Sequence, residues 1–384
     1  MIESIRIWHK RYLAATKNIK PDFYKLLIQV PFSPARNFHE ALQSLCFIFS
    51  FVRFCGNWPG IGRLDWLLGD FLKNDLKNKA LDKAKARELL SSFFIKGCEW
   101  IQSETPPGSG DAQHYQNIVL SGIDENGHDI TNEVAFLVLD IVEDLPISDF
   151  PITVRLNQNS SEALRKKLAG VMRHGGGIVA IYNEDLILKS LKSLGYSDKE
   201  VRCFANDGCW KVQIPGKTNF SYMPFDALQI FNSVIGITKE SIPQYNSVEE
   251  IYSAFRDSLR DKIETLYREQ VANAYVLKNS MWQENGKVIP SSVVSLFEYG
   301  CIEHARSYHD FGPEYTVRSP HNGGAPDAAN SLYAIEKVVF EEKKIFFAEL
   351  VQILKDNWEH NELLRLYVKN NFTYYGNDFD ESDA

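Results

Sequence analysis

No apolar run in this sequence is long enough to cross a bilayer. The most apolar stretch, Leu45 to Val52, falls far short of the roughly 20 residues that a membrane helix needs. His39, Glu40, Gln43 and Arg53 flank it, so it reads as a buried helix. The N-terminus, Met-Ile-Glu-Ser-Ile-Arg, lacks the apolar core of a secretory signal. Cysteine is sparse. The six, at 46, 55, 98, 203, 209 and 301, form no C-x-x-C pair and no Cys/His cluster with zinc spacing. No metal site is expected, and a reduced cytoplasm is the expected compartment. Positive charge is also short: 42 Lys and Arg against 50 Asp and Glu give a net charge of −8. That balance argues against nucleic acid or an anionic membrane surface as a partner, since both need a positive field. Internal repeats, low-complexity tracts and a Pro/Gly/Ser-rich linker are absent.

What remains is an ordinary globular composition: 44% hydrophobic, 24% charged and 12% aromatic over 384 residues. That length allows about two domains or one large one. With no linker in view, residues 1–384 read as one continuous domain. Ser33-Pro34 reads as a helix start, with an apolar face from Phe38 to Val52. Thr131 opens a helix striped by Val134, Leu137, Val138 and Ile141. Ile152–Leu156 and Ile178–Tyr182 are strand-like, and Cys209–Ile214 reads as extended. Ser160 or Ser161, Ser197 with Glu200, and Ser247 with Glu250 mark further helix starts. The last of these is expected to run to about Lys278. Helices also fit Asp327–Lys343, Phe347–Trp358 and Asn361–Asn370, so the region after Ile214 reads as mostly helical. Short strands interleaved with helices predict an α/β architecture with parallel strands.

Few residues announce chemistry by themselves. Cys209 follows Gly208 on a turn between a helix and an extended stretch, in Asn206-Asp207-Gly208-Cys209-Trp210-Lys211. Backbone freedom at Gly208 would let the thiol reach a cavity. A small buried hydrophobe is the alternative for that Cys. Gly216-Lys217-Thr218 lacks the upstream glycine of a phosphate loop. His114 sits in a Gly/Pro-rich loop, a segment type that often lines sites, or is simply solvated there. Gly122–Asp129 lacks the acid spacing of a calcium loop and reads as a turn. Cys301 reads as a core cysteine. The acidic last seven residues read as a solvated end.

Taken together, separated blocks resemble the glycyl radical enzymes, the family of pyruvate formate-lyase and the radical dehydratases and decarboxylases. The blocks are Pro34–Gln43, Gly62-Arg63-Leu64-Asp65, Ser121–Glu133, the Cys209 loop with Pro215–Thr218, Gly300–Glu303, Asn330–Phe340 and Tyr375–Asp378. Their order matches the family over nearly the whole chain from about residue 20. The resemblance implies part of a ten-stranded α/β barrel of two parallel half-sheets, with many surrounding helices. It implies that Cys209 is the cysteine that becomes a thiyl radical and abstracts a hydrogen atom from a small organic substrate. The radical would be stored on a backbone glycine and installed by an S-adenosylmethionine-dependent activating enzyme. No Arg-Val-x-Gly-Tyr segment occurs here. The chain thus reads as truncated at both ends and inactive alone, its glycyl radical coming from a missing segment or a complementing chain. Exposed apolar surface on an incomplete barrel would favour a homo-oligomer.

Two positions depart from the family pattern. Dehydratases carry Gly-Cys-x-Glu, with the Glu as acid/base group; here Lys211 stands in that place. An ammonium cannot replace a carboxylate base unless its pKa falls far, but it can hold an anionic substrate group. The dehydratases' later Asp falls near Met223, with Asp226 a looser alternative. Substrate-facing candidates are therefore Lys211, His114 and Asp226, with Asp226 or Glu303 as carboxylate partners for Lys211. Gly208 occupies the first position of the Cys-Cys pair of pyruvate formate-lyase, which argues against acyl transfer to coenzyme A. The alternative function is a catalytically inactive relative that binds a ligand or partner.

Overall fold

In a computed structural model, the alternation of apolar strands and amphipathic helices builds a parallel α/β layer. The structure describes the chain except residues 56–58, 99–115, 148–149, 176–177, 209, 270–274, 279–280, 285–286, 289–291 and 384, and the side chains of 222, 275–278, 281–284, 287–288 and 383. The chain folds as two compact units, 1–218 with 291–315 and 219–290 with 316–384. Four strands of the first unit, β1 (Gly62–Arg63), β2 (Ile118–Ser121), β3 (Ile152–Leu156) and β4 (Val179–Asn183), form a parallel sheet in that order. Parallel neighbours need long crossovers. Helices Glu133–Asp144 and Glu162–Met172 supply them, from β2 to β3 and from β3 to β4.

Alternation along the strands sends Ile118, Leu120, Ile152 and Val154 to one face. They join Leu64, Leu68, Leu90, Phe94, Val134, Val138, Ile141, Leu164 and Leu168 in the main core. At about 25 cal/mol per Å² of apolar area, this layer is the chief stabiliser of the unit. Helix starts follow local chemistry. Asn132, Ser161 and Ser197 cap their helices, and Ser197 with Glu200 forms the full capping box. After the short helix Asp198–Arg202 the chain forms a hairpin, β5 (Ala205–Asp207) and β6 (Lys211–Gln213), paired Asp207↔Lys211.

In the second unit β7 (Thr218–Asp226) pairs with β11 (Tyr315–Gly323), and β8 (Tyr275–Lys278), β9 (Met281–Glu284) and β10 (Lys287–Val288) form an antiparallel sheet. Its core gathers Phe231, Ile251, Ile335, Phe347 and Val351.

Several expected boundaries move. The helix over Phe38–Phe54 starts at Asn37, whose side chain accepts from the Glu40 amide, and not at Ser33-Pro34. The helix after Ser247 ends at Tyr267, and the Tyr-Val-Leu run beyond it becomes β8. The region after Ile214 is richer in strand than expected. β7 contains Pro224 and β11 contains Pro320 and Gly323, and neither shows clean apolar alternation. Cys209–Ile214 is not one extended stretch: β6 begins only at Lys211, and Trp210 takes a left-handed φ of 71°. The helix expected over Asp327–Lys343 is α-helical at Ala325–Ile335 and continues as a π-helix over Glu336–Glu341.

Candidate active site

Over β2 and β3 the second face of the parallel sheet is just as buried and largely polar. Register places Arg63 beside Val119, Val119 beside Thr153, and Thr153 beside Ala180. The next row sets Ser121, Arg155 and Tyr182 side by side. Alternation puts Asn117, just before β2, on the same face. Asn117, Ser121, Thr153 and Arg155 are each 0% exposed. Buried polar groups are costly unless paired, so the partners of this face are informative.

Two guanidiniums anchor the segment that leads into the hairpin. Arg155 donates to the Phe204 carbonyl at 2.9 Å and to the Arg202 carbonyl at 2.8 Å. It pairs with fully buried Glu184 and lies 3.9 Å over the Phe204 ring. Glu184 in turn accepts from the Ile123 amide, and Gly122 at φ 83° packs against both partners, where a Cβ would collide. Arg63 donates to the Ile123 carbonyl at 2.8 Å. Burial lowers its pKa to about 9 and raises that of neighbouring Asp65 to about 6, although the Ser121 amide donates to the Asp65 carboxylate at 2.6 Å.

The hairpin loop is held on both sides of Cys209. Asn117 Nδ2 donates to the Gly208 carbonyl at 3.0 Å, and Tyr182 Oη donates to the Trp210 carbonyl. Asn117 directly precedes β2 and Tyr182 lies on β4, with β3 between the two strands. The Gly208 amide donates to its neighbour Asp207 at 2.8 Å. Gly208 and Trp210 both take positive φ, 55° and 71°, which lets a three-residue loop reverse the chain. Cys209 itself lies outside the described residues, as does His114.

Lys211 starts β6, and its ammonium lies over Gly208: a Cβ there would be 2.6 Å from Nζ. Its charge bears on Asp207, an acid the sequence did not single out. Burial raises the Asp207 carboxyl to about 6, while the Gly208 amide and the Lys211 and Arg53 charges work downward. Glu298 lies near the same acid. Burial and then the Asp207 charge push it up to about 8, against a hydrogen bond from the Thr218 amide. The two carboxylates suggested for Lys211 are engaged elsewhere. Glu303 accepts from the Gly300 amide, and Asp226, in the other unit, caps the helix Ala227–Val234 through the Leu228 and Gln229 amides. Cys301 is buried, as a core cysteine would be. Sequence reading missed Asn117, Thr153, Tyr182 and Asp207. The signal that finds them is register: each lies on or beside the strand face opposite the apolar one, or at the hairpin base.

The family described as pyruvate formate lyase-like matches residues 25–384. The chain is 27% identical over 377 residues to trans-4-hydroxy-L-proline dehydratase of Clostridioides difficile, covering 92% of this chain and 46% of that protein. It is 23% identical over 424 residues to isethionate sulfite-lyase of Nitratidesulfovibrio vulgaris, covering 100% of this chain and 49% of that one. A solved structure concerned with 1,2-propanediol dehydration in Roseburia inulinivorans matches with a TM-score of 0.81 at 25% identity, over 99% of this chain and 52% of that chain. The chain thus spans about half the length of the curated relatives it matches. Among the described residues, no helix is long and apolar enough to cross a membrane.

Proposed function

Because the chain belongs to the pyruvate formate lyase-like family of glycyl radical enzymes, we propose that it is the thiyl-cysteine core of a radical lyase acting on a small organic substrate. The carrying observation is the hairpin around Cys209, fixed by Asn117 and Tyr182 over a buried polar face. In this reading the Cys209 thiyl takes one hydrogen atom from a substrate carbon, leaving a thiol and a carbon radical. Loss of a neighbouring group follows, and the product radical regains a hydrogen atom from the thiol. A glycyl radical, installed by an S-adenosylmethionine-dependent activating enzyme on a segment outside these residues, supplies the unpaired electron.

The chain's own residues position the reaction. Asn117 and Tyr182 hold the Gly208 and Trp210 carbonyls on either side of Cys209. Lys211, with its ammonium at Gly208, offers a cation to an anionic substrate group, a carboxylate, phosphate or sulfonate. Asp207 pairs with Lys211 across the hairpin base. His114 is a further substrate-facing candidate.

The test is reconstitution under anaerobic conditions with an activating enzyme and a chain bearing an Arg-Val-x-Gly-Tyr segment. The chain alone should give no glycyl doublet by electron paramagnetic resonance. The reconstituted parent should turn over a small substrate, and Cys209→Ala should keep the doublet while losing turnover. Turnover by the Cys209→Ala variant would refute the reading.

A further inference from the structure

A cleft of about 140 Å³ lies among the helices of the second unit. Its walls include Phe231, Ile335, Leu350, Leu354, Trp358 and Val368. Among the described lining residues only Asn232, Ser331 and the Trp358 indole carry a polar side-chain atom, and the Ser331 hydroxyl already donates to the Asp327 carbonyl of its own helix at 2.7 Å. A water inside would find few partners, and a buried water needs about two to four. Packed interiors leave few voids larger than a water, so this one needs a reason. Trp358 takes a left-handed φ of 62°, and Asn357 and His360 near it take 50° and 62°. That conformation costs free energy in any residue with a Cβ. The turn is nonetheless fixed: the Trp358 amide donates to the Ile353 carbonyl and the Asn361 amide to the Trp358 carbonyl, both at 2.9 Å. Such strain persists where the surroundings enforce it, and it gathers at ligand clamps. On another wall the α-helix gives way after Ile335 to the π-helix Glu336–Glu341, whose Val338 lines the cleft. Segments of π-helix are rare and are frequent at functional sites. The helix Glu362–Asn370 contributes Val368, yet none of its residues is buried and Leu363 is 86% exposed. A wall so lightly packed can move to admit a guest.

We propose that this cleft binds a small uncharged aromatic molecule, one benzene ring in size. Volume decides the size: apolar cavities of about 150 Å³ lined by Leu, Ile and Phe stay dry and take benzene or xenon. The Trp358 and Phe231 rings decide the class, since ring pairs gain from edge and offset contacts beyond the area they bury. A charged ring is disfavoured, because no described lining residue carries a charge to meet it. The site lies wholly in the second unit and does not draw on the proposed radical chemistry, so the two readings stand or fall separately.

The test uses the 384-residue chain, isotope-labelled at its Ile, Leu and Val methyl groups, and two probes, benzene and benzoate, titrated by NMR. Benzene is expected to shift the methyl resonances of Ile335, Leu350, Leu354 and Val368 and to leave those of Ile118 and Val154 in the first unit unmoved. It should also raise the melting temperature with its concentration, because it binds the folded state. Benzoate should do neither. Ala334→Leu, which puts a larger side chain into the cleft, should weaken benzene binding about tenfold or more. Its circular dichroism spectrum should remain that of the parent. Ala334→Val, a smaller filling, should weaken binding less and guards against a Leu variant that fails to fold. Absence of methyl shifts in the parent, shifts spread evenly over both units, equal binding of benzoate, or an unchanged affinity in the folded variants overturns the proposal.

Discussion

The two faces of the β2–β3 pair are equally dry and built from opposite materials. One carries Ile118, Leu120, Ile152 and Val154 into the main apolar core. The other carries Asn117, Ser121, Thr153 and Arg155, all without solvent exposure. Burying the first set stabilises the fold at about 25 cal/mol per Å². Burying the second set stabilises little, because paired buried charges roughly offset their own desolvation. A fold under selection for stability alone has no use for Arg155 where a leucine would fit. The polar face is better understood as a mount. Its guanidiniums hold the Arg202 and Phe204 carbonyls, and its Asn117 and Tyr182 hold the Gly208 and Trp210 carbonyls.

The largest effect that would break this contrast is Arg155→Ala. It leaves Glu184 buried without its partner, and should cost about 3–5 kcal/mol by chemical denaturation. A loss under about 1 kcal/mol would mean that the pair is not a structural mount. Ile152→Ala, on the opposite face, should cost about 2–4 kcal/mol. It should leave hydrogen exchange at residues 205–213 unchanged relative to global stability, which separates support of the core from support of the hairpin. Tyr182→Phe is smaller, about 1 kcal/mol in global stability. Its signature should be local, with faster exchange confined to the hairpin; uniform exchange across the unit would deny Tyr182 an anchoring role.

A separate effect is a pH slope. Glu298 titrates at about 8 in the fold against an ordinary value of 4.5. A raised carboxyl pKa means that its stabilising contribution is complete below about 4.5 and is lost as pH rises through about 8. Melting temperature of the parent should therefore fall between about pH 5 and pH 9, and Glu298→Gln should flatten the slope. Parallel curves for the two proteins would place Glu298 in a wetter setting.

Much of the apolar face was legible in the sequence. Val134, Leu137, Val138 and Ile141 form a stripe, and Ile152–Leu156 is a β-branched run, so both elements follow from periodicity. The polar face was not. Thr153 and Arg155 are ordinary strand residues until register sets them beside Val119 and Ser121, and register depends on contacts distant in sequence. The hairpin was half legible. Gly208 signalled a turn, but the left-handed Trp210 did not, because tryptophan has no intrinsic preference for that conformation. The expectation of an extended stretch from Cys209 ran through Trp210, and the strand starts at Lys211. Lys211 therefore meets Asp207, a residue that only the hairpin pairing brings forward.

The central claim is that the loop mounted on this face carries the hydrogen-transferring sulfur. A thiol exchanges its hydrogen with solvent, so deuterium from D₂O enters any carbon radical that trades hydrogen atoms with it. The direct measurement is the electron paramagnetic resonance spectrum of the glycyl radical in the reconstituted enzyme, recorded in H₂O and in D₂O. The account predicts that the glycyl doublet collapses toward a singlet in D₂O for the parent and stays a doublet for Cys209→Ala. A collapse that persists in the Cys209→Ala variant would contradict it.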